Sequence, residues 1–184
     1  MHNLQQRANT LFSFATSVIA VVLGVVALIS YITGYGNVQP HLLAADKSSL
    51  SVVTRRYGPD NTDYRNSKSE FARLLFDIDA DFTPMFNWNT KQVFVTVVAE
   101  YENDYFGRNH VVIWDKIITG KDKAHLKLRH VRNKYALIDV SQRWNAEKVN
   151  LTLYWDVTPY VGLLQHGRQS STPTEFKIPS LVKQ

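Results

Sequence analysis

Residues 8 to 45 contain no lysine, arginine, aspartate or glutamate, and within them lies the apolar run Leu11–Ile32 (LFSFATSVIAVVLGVVALISYI). As a helix this run reaches roughly 33 Å at ~1.5 Å per residue, enough to cross a hydrocarbon core of about 30 Å. Its polar members, Ser13, Thr16, Ser17 and Ser30, are small hydroxyls that can bond back to the helix's own carbonyls, so no ionisable group has to leave water. A cleaved leader is the competing reading, because the run is N-terminal and follows Arg7. Leader apolar regions span about 7–15 residues. This run is longer, and the expectation is a signal-anchor that stays attached. Arg7 on one side and Lys47 on the other leave the basic-residue bias almost level, so charge does not set the orientation.

The remainder, roughly 150 residues, is one domain's worth of chain. It contains no cysteine, which excludes a disulfide scaffold, a Cys-ligated zinc site and a cysteine nucleophile. The net charge of +5 is modest, and the densest basic stretch, Lys121–Lys134, is mixed with other residues. A nucleic-acid surface needs a coherent basic face and a recognisable module; no nucleic-acid partner is expected. A gently basic, solvated surface facing lipid headgroups is the ordinary explanation.

After Gly34 and Gly36 the periodicity changes from helical to two-residue alternation. Phe76, Ile78, Ala80 and Phe82 share one face of a strand while Asp77, Asp79 and Asp81 share the other. Val93–Tyr101 reads as a strand buried on both faces. Val111–Ile118 repeats that character, and in Val149–Val157 the apolar Val149, Leu151, Leu153 and Trp155 alternate with Asn150, Thr152, Tyr154 and Asp156. Weaker strands are expected at Ser49–Arg55, His125–Val131, Tyr135–Val140 and Thr174–Ile178, and Asn66–Leu75 has room for a turn of helix. Turn residues separate these runs at 58–61, 103–107, 120–122 and 145–146. The expected fold class is mainly β: one N-terminal transmembrane helix followed by an antiparallel β-sandwich.

Candidate chemistry is thin. Asp77-x-Asp79-x-Asp81 opens like a calcium loop, but the loop's sixth and twelfth positions need Gly and Glu, and Phe82 and Trp88 stand there; the acids read as the wet face of a strand, and no metal is expected. His110, His125, His130 and His166 with Asp115, Asp139 and Asp156 could supply parts of a hydrolytic triad, yet no Gly-x-Ser-x-Gly elbow accompanies them. No catalytic residue and no cofactor are assigned. Asn150-Leu151-Thr152 is an N-glycosylation sequon whose polar side chains fall on the outer face of the 149–157 strand, which makes Asn150 the candidate glycan acceptor. Among the aromatic residues, Trp114 and Trp155 read as packed, and Trp88, in the polar Asn87-Trp88-Asn89-Thr90 turn, as exposed.

Taken together, several blocks resemble a known family. They are Arg7-Ala8-Asn9-Thr10-Leu11-Phe12-Ser13-Phe14, Phe76-Asp77-Ile78-Asp79-Ala80-Asp81, and Phe86-Asn87-Trp88-Asn89-Thr90-Lys91-Gln92-Val93-Phe94. Ala99-Glu100-Tyr101, Val111-Val112-Ile113-Trp114-Asp115-Lys116-Ile117-Ile118, Asn150-Leu151-Thr152-Leu153-Tyr154-Trp155 and Pro159 through Gly162-Leu163-Leu164 follow. In that order they resemble the subunit 3 family of the eukaryotic signal peptidase complex, glycosylated single-pass accessory subunits of the microsomal enzyme. Asp156 departs from the pattern, where asparagine is expected. The resemblance implies a single-pass type II protein of the endoplasmic reticulum membrane. Its parts are a cytosolic tail at 1–10, a transmembrane signal-anchor helix at 11–32 and a lumenal β-sandwich at 33–184, with Asn150 glycosylated. It further implies a non-catalytic subunit supporting a catalytic serine protease subunit in the removal of signal peptides. The implied partners are that protease, the other small membrane subunits, signal-peptide substrates and the lipid bilayer. The serine-methionine nucleophile motif of the catalytic subunit is absent, since Met85 follows Pro84. A membrane-tethered enzyme acting alone, and a lumenal binding module or chaperone unrelated to proteolysis, are the alternative classes.

Overall fold

The computed structural model describes residues 3–36, 40–56, 68–103, 106–141, 144 and 149–170. It opens with one helix, α1 (Leu4–Thr33), which contains the whole apolar run and extends it by two turns at the N-terminus. Thr16 Oγ1 donates to Phe12 O at 3.0 Å and Ser17 Oγ to Ser13 O at 2.8 Å, so these hydroxyls fold back onto the helix as expected. Ser30 does not: its Oγ meets Tyr35 Oη and Asn89 Nδ2 instead. The helix closes at Gly34, whose N–H donates to Ser30 O.

Among the described residues eight strands follow, arranged in two antiparallel sheets. The first is built from β1 (Pro40–Arg56), β2 (Lys68–Asp81) and β5 (His125–Arg132) in that order, with the two-residue β6 (Leu137–Ile138) also on β2. The second has the order β4 (Asn109–Ile118), β3 (Thr90–Tyr101), β7 (Val149–Pro159), β8 (Gln165–Ser170). Alternation puts Leu74, Phe76, Ile78, Ala80 and Phe82 of the first sheet against Val93, Val95, Val97, Leu151, Leu153 and Trp155 of the second, all in one core. Two edge-on aromatic pairs cross between the sheets, Phe76 with Trp114 and Phe82 with Trp155, at centroid separations of 6.3 and 6.2 Å. Each large apolar side chain so buried contributes on the order of 1.5–3 kcal/mol, which is how a domain without disulfides holds together.

β3 is central in its sheet, paired with β4 on one side and β7 on the other. Its odd-numbered residues from Val93 to Tyr101 are buried, while Phe94 and Thr96 on the outer face are only half-covered. The expectation of burial on both faces therefore holds fully for one face. Asn66–Leu75, where a turn of helix had room, is instead strand from Lys68 onward, because β1 pairs with it through Arg56↔Lys68 and Val52↔Ala72. Helix-favouring Glu70, Ala72 and Leu74 yield to that pairing, as strand context often overrides propensity. β8 answers to no expectation from sequence. The strand expected at 174–178 and the turns expected at 58–61 and 145–146 lie outside the described residues.

Candidate functional site: the joint between helix and sandwich

Between β2 and β3 the chain makes a 3-10 turn, Thr83–Met85, and then a second turn through Asn87-Trp88-Asn89-Thr90. The second turn is held by its own side chains. Asn87 Oδ1 accepts the Asn89 N–H at 2.9 Å, and Thr90 Oγ1 donates to Met85 O at 2.7 Å while accepting the Asn87 N–H at 3.1 Å. Trp88 is thereby turned outward and Asn89 inward.

Asn89 is 2% exposed, and its carboxamide sits where α1 meets the sandwich. Nδ2 donates to Ser30 Oγ of α1 at 2.9 Å and to Val161 O of the β7–β8 loop at 2.7 Å. Oδ1 accepts the Val161 N–H at 3.2 Å, and the Asn89 backbone carbonyl accepts the Tyr160 N–H at 2.8 Å. Both donors of the amide and its carbonyl are thus engaged. Ser30 Oγ lies 3.0 Å from the Tyr35 hydroxyl, which carries the network into the segment linking helix and sandwich. Buried groups stripped of such partners cost about 1–3 kcal/mol each, so this one amide ties together elements distant in sequence.

Close packing completes the joint. A Cβ at Gly36 would stand 2.7 Å from Pro84 Cβ, so only glycine lets the linker lie on the 3-10 turn. Gly162 has φ +121°, a conformation side chains disfavour, and a Cβ there would meet Ala27 Cα of α1 at 3.6 Å.

The opposite end of the sandwich has its own polar centre. Asp139, 2% exposed, accepts from Tyr101 Oη at 2.9 Å and Asn103 Nδ2 at 2.8 Å through Oδ1. Through Oδ2 it accepts the Ser141 N–H at 2.9 Å and the Ser141 hydroxyl. Burial pushes its carboxyl pKa up, but the bonds from Ser141, Tyr101 and Asn103 outweigh that and hold it below the ordinary value of 3.8. Tyr101 is driven upward, first by burial and then by the adjoining Asp139. Trp144 packs on Tyr101 with centroids 5.1 Å apart and is core.

The remaining residues singled out in the sequence fall as follows. Asp77, Asp79 and Asp81 each have a structural partner. Asp77 Oδ1 accepts the His130 N–H at 2.7 Å and so holds a bulge in β5, where His130 has φ 51°. Asp79 pairs with His125 Nε2 at 3.0 Å, the leading reason its pKa is lowered, and with Arg129. Asp81 Oδ1 accepts the Thr83 N–H at 2.8 Å. His166 pairs with Asp156, and His110 faces Glu100 at 3.9 Å. Among the described residues no histidine side chain hydrogen-bonds to a serine. Asp115 binds Tyr135 Oη at 2.8 Å and Lys134 Nζ at 3.2 Å, with Lys134 over the Trp114 ring, so Trp114-Asp115 clips β4 to the turn after β5. Asn150 is half-buried on the outer face of β7 beside Glu100 of β3, and Thr152 is buried. The joint itself was not foreseen. Its signal was a polar, Asn-rich turn directly before a buried strand, together with a lone serine near the end of an apolar helix.

One long apolar helix locked by a buried amide onto two packed sheets defines a membrane-tethered β-sandwich protein. The family model described as signal peptidase subunit matches residues 1–181. The chain is 35% identical over 190 residues to signal peptidase complex subunit 3 of Yarrowia lipolytica, covering 99% of this chain and 100% of that one. It is 38% identical over 122 residues to the Saccharomyces cerevisiae protein of the same name, with 66% and 65% coverage, and 36% identical over 167 residues to the Gallus gallus one, with 89% and 87%. The chain belongs to the signal peptidase subunit family.

Proposed function

We propose that this chain is a non-catalytic accessory subunit of the signal peptidase complex of the endoplasmic reticulum membrane. In this reading residues 1–10 are cytosolic, 11–32 are the span, and 33–184 form the lumenal sandwich of a single-pass type II protein. The sandwich packs against the catalytic serine protease subunit and helps shape the path of signal peptides at the membrane surface, among the other small membrane subunits. Support comes from the family and from one structural observation, the Asn89–Ser30–Val161 joint. A β domain fixed to the end of its span cannot wander from the plane where signal peptides are cut. The edges β1, β4, β5 and β8 also leave backbone groups that a partner or an extended substrate can pair with.

Reconstitution of the peptidase with and without this chain tests the reading. Slower cleavage and poorer recovery of the catalytic subunit are expected without it; equal rates and equal recovery refute it. Asn150 is proposed as the glycan acceptor. Asn150→Gln is expected to abolish the endoglycosidase-sensitive mobility shift of the chain made in microsomes, and an unchanged shift rejects the assignment.

A further inference from the structure

Strand register brings several loops to the α1 end of the sandwich. β2 ends at Asp81 and β3 begins at Thr90; β4 ends at Ile118 and β5 begins at His125; β7 ends at Pro159 and β8 begins at Gln165. Residues 82–89, 119–124 and 160–164 therefore share one rim. On it Trp88, Tyr160, Leu163 and Leu164 are exposed at 63%, 68%, 75% and 54%. Large apolar side chains gathered on one exposed rim mark a surface made for a partner.

The position of the rim along α1 says which partner. Gly162 packs on Ala27, and Val161 is tied to Ser30 through Asn89. Ala27 lies less than two turns before Thr33, roughly 9 Å along the axis at ~1.5 Å per residue, and the apolar run continues past it to Ile32. The 160–164 loop thus doubles back alongside helix that is itself within the apolar run. Backbone at such depth needs its polar groups satisfied internally. Asn89 does this for the Tyr160 N–H, the Val161 N–H and the Val161 carbonyl.

We infer that the 160–164 loop is a lipid-inserted lip. Leu163 and Leu164 enter the acyl boundary of the leaflet at the C-terminal end of α1. Tyr160 and Trp88 lie at headgroup level, the usual place for amphipathic aromatic rings. Lys121 and Lys123, with Asp122 between them, are exposed on the same rim and Lys91 is exposed at the adjoining start of β3, a net basic set that suits anionic headgroups. The lip rests on α1 spanning the bilayer, and it adds a second, shallow contact between the same chain and the same membrane.

The chain has no cysteine, so single-cysteine variants report one position each. The test uses Leu163→Cys on the lip, Val140→Cys at the far end of the sandwich and Ile19→Cys inside α1. Each carries an environment-sensitive fluorophore and is studied as the full chain and in the assembled complex. The vesicles are phosphatidylcholine and phosphatidylserine with a shallow spin-labelled lipid. The lip predicts that the labelled lipid quenches position 163 several-fold more than position 140, with aqueous iodide showing the reverse. If position 163 follows position 140 while position 19 stays protected from iodide, the lip is wrong and the span stands. If position 19 is open to iodide, the span fails and the lip with it. A position 163 shielded from both quenchers in the complex means that a protein subunit covers the rim, which also overturns the lipid assignment.

Discussion

Each end of the sandwich is organised around one buried polar side chain, and the two use different chemistry. At the α1 end the centre is Asn89, a neutral amide that donates twice and accepts once. At the far end it is Asp139, a carboxylate that accepts from four donors. A carboxylate can only accept, and its charge is tolerable where water is near. Next to a membrane-spanning helix the same charge faces a heavy desolvation penalty. An amide meets a serine hydroxyl, a carbonyl and an N–H together with no net charge. The difference reflects what lies outside each end: an apolar helix at one, solvent-exposed turns at the other.

Asn89→Asp, which puts the far end's chemistry into the joint, is expected to have the largest effect. The variant loses both donations, to Ser30 and to Val161, and leaves a carboxylate facing a carbonyl. A loss of roughly 3–5 kcal/mol is expected, measured by thermal or denaturant unfolding of the full chain in detergent, and easing in acid as the new carboxyl takes up a proton. A loss below about 1 kcal/mol, against that estimate, would mean the joint does not fix the helix to the sandwich.

Next comes the far end. Asp139→Ala removes one acceptor from Tyr101, Asn103 and Ser141 and is expected to cost about 2–3 kcal/mol. The wild-type carboxyl adds a pH signature. Its folded pKa lies below the ordinary value, so its stabilising contribution is complete at neutral pH. That contribution shrinks as pH falls below about 4, where the unfolded chain binds protons first, and is gone once the folded carboxyl also protonates. Asp139→Asn should flatten this acid limb in unfolding curves recorded from pH 7 to 3, and an unaltered limb would show that other groups produce it. The smallest effects are single-contact deletions. Ser30→Ala and Tyr101→Phe each remove one partner of a centre and should cost about 1 kcal/mol. Ser30→Ala sharpens the contrast if its cost grows in lipid relative to detergent while that of Tyr101→Phe does not.

Much of this fold was written in simple periodicities. The apolar run gives α1, and the alternation of Phe76, Ile78, Ala80 and Phe82 with three aspartates gives the core-facing side of β2. Outward Trp88 and inward Trp155 also follow from their local contexts, whereas alternation leaves the face of Trp114 open and only the structure turns it inward. β8 was hidden because Gln165-His166-Gly167-Arg168-Gln169-Ser170 has no β-branched residue and no Phe, Tyr or Trp. It is a strand because β7 supplies the pairing, and Gly167 leaves room for the Trp155 ring opposite it. The joint was hidden for another reason. A serine in an apolar helix reads as self-satisfied, as Thr16 and Ser17 are, and nothing local says that Ser30 turns sideways to a residue far along the chain. The distinctive blocks Asn87-Trp88-Asn89-Thr90 and Trp114-Asp115 have structural work visible only in three dimensions, as hinge-lock and edge clip.

Ser30, Ala27 and the Gly36 linker all contact the sandwich, so the orientation of the head is coupled to that of the rod. A thinner bilayer makes a spanning helix lean, and a leaning rod swings the β domain bodily over the membrane surface. The bearing of the head is therefore steered by the lipid around its stem.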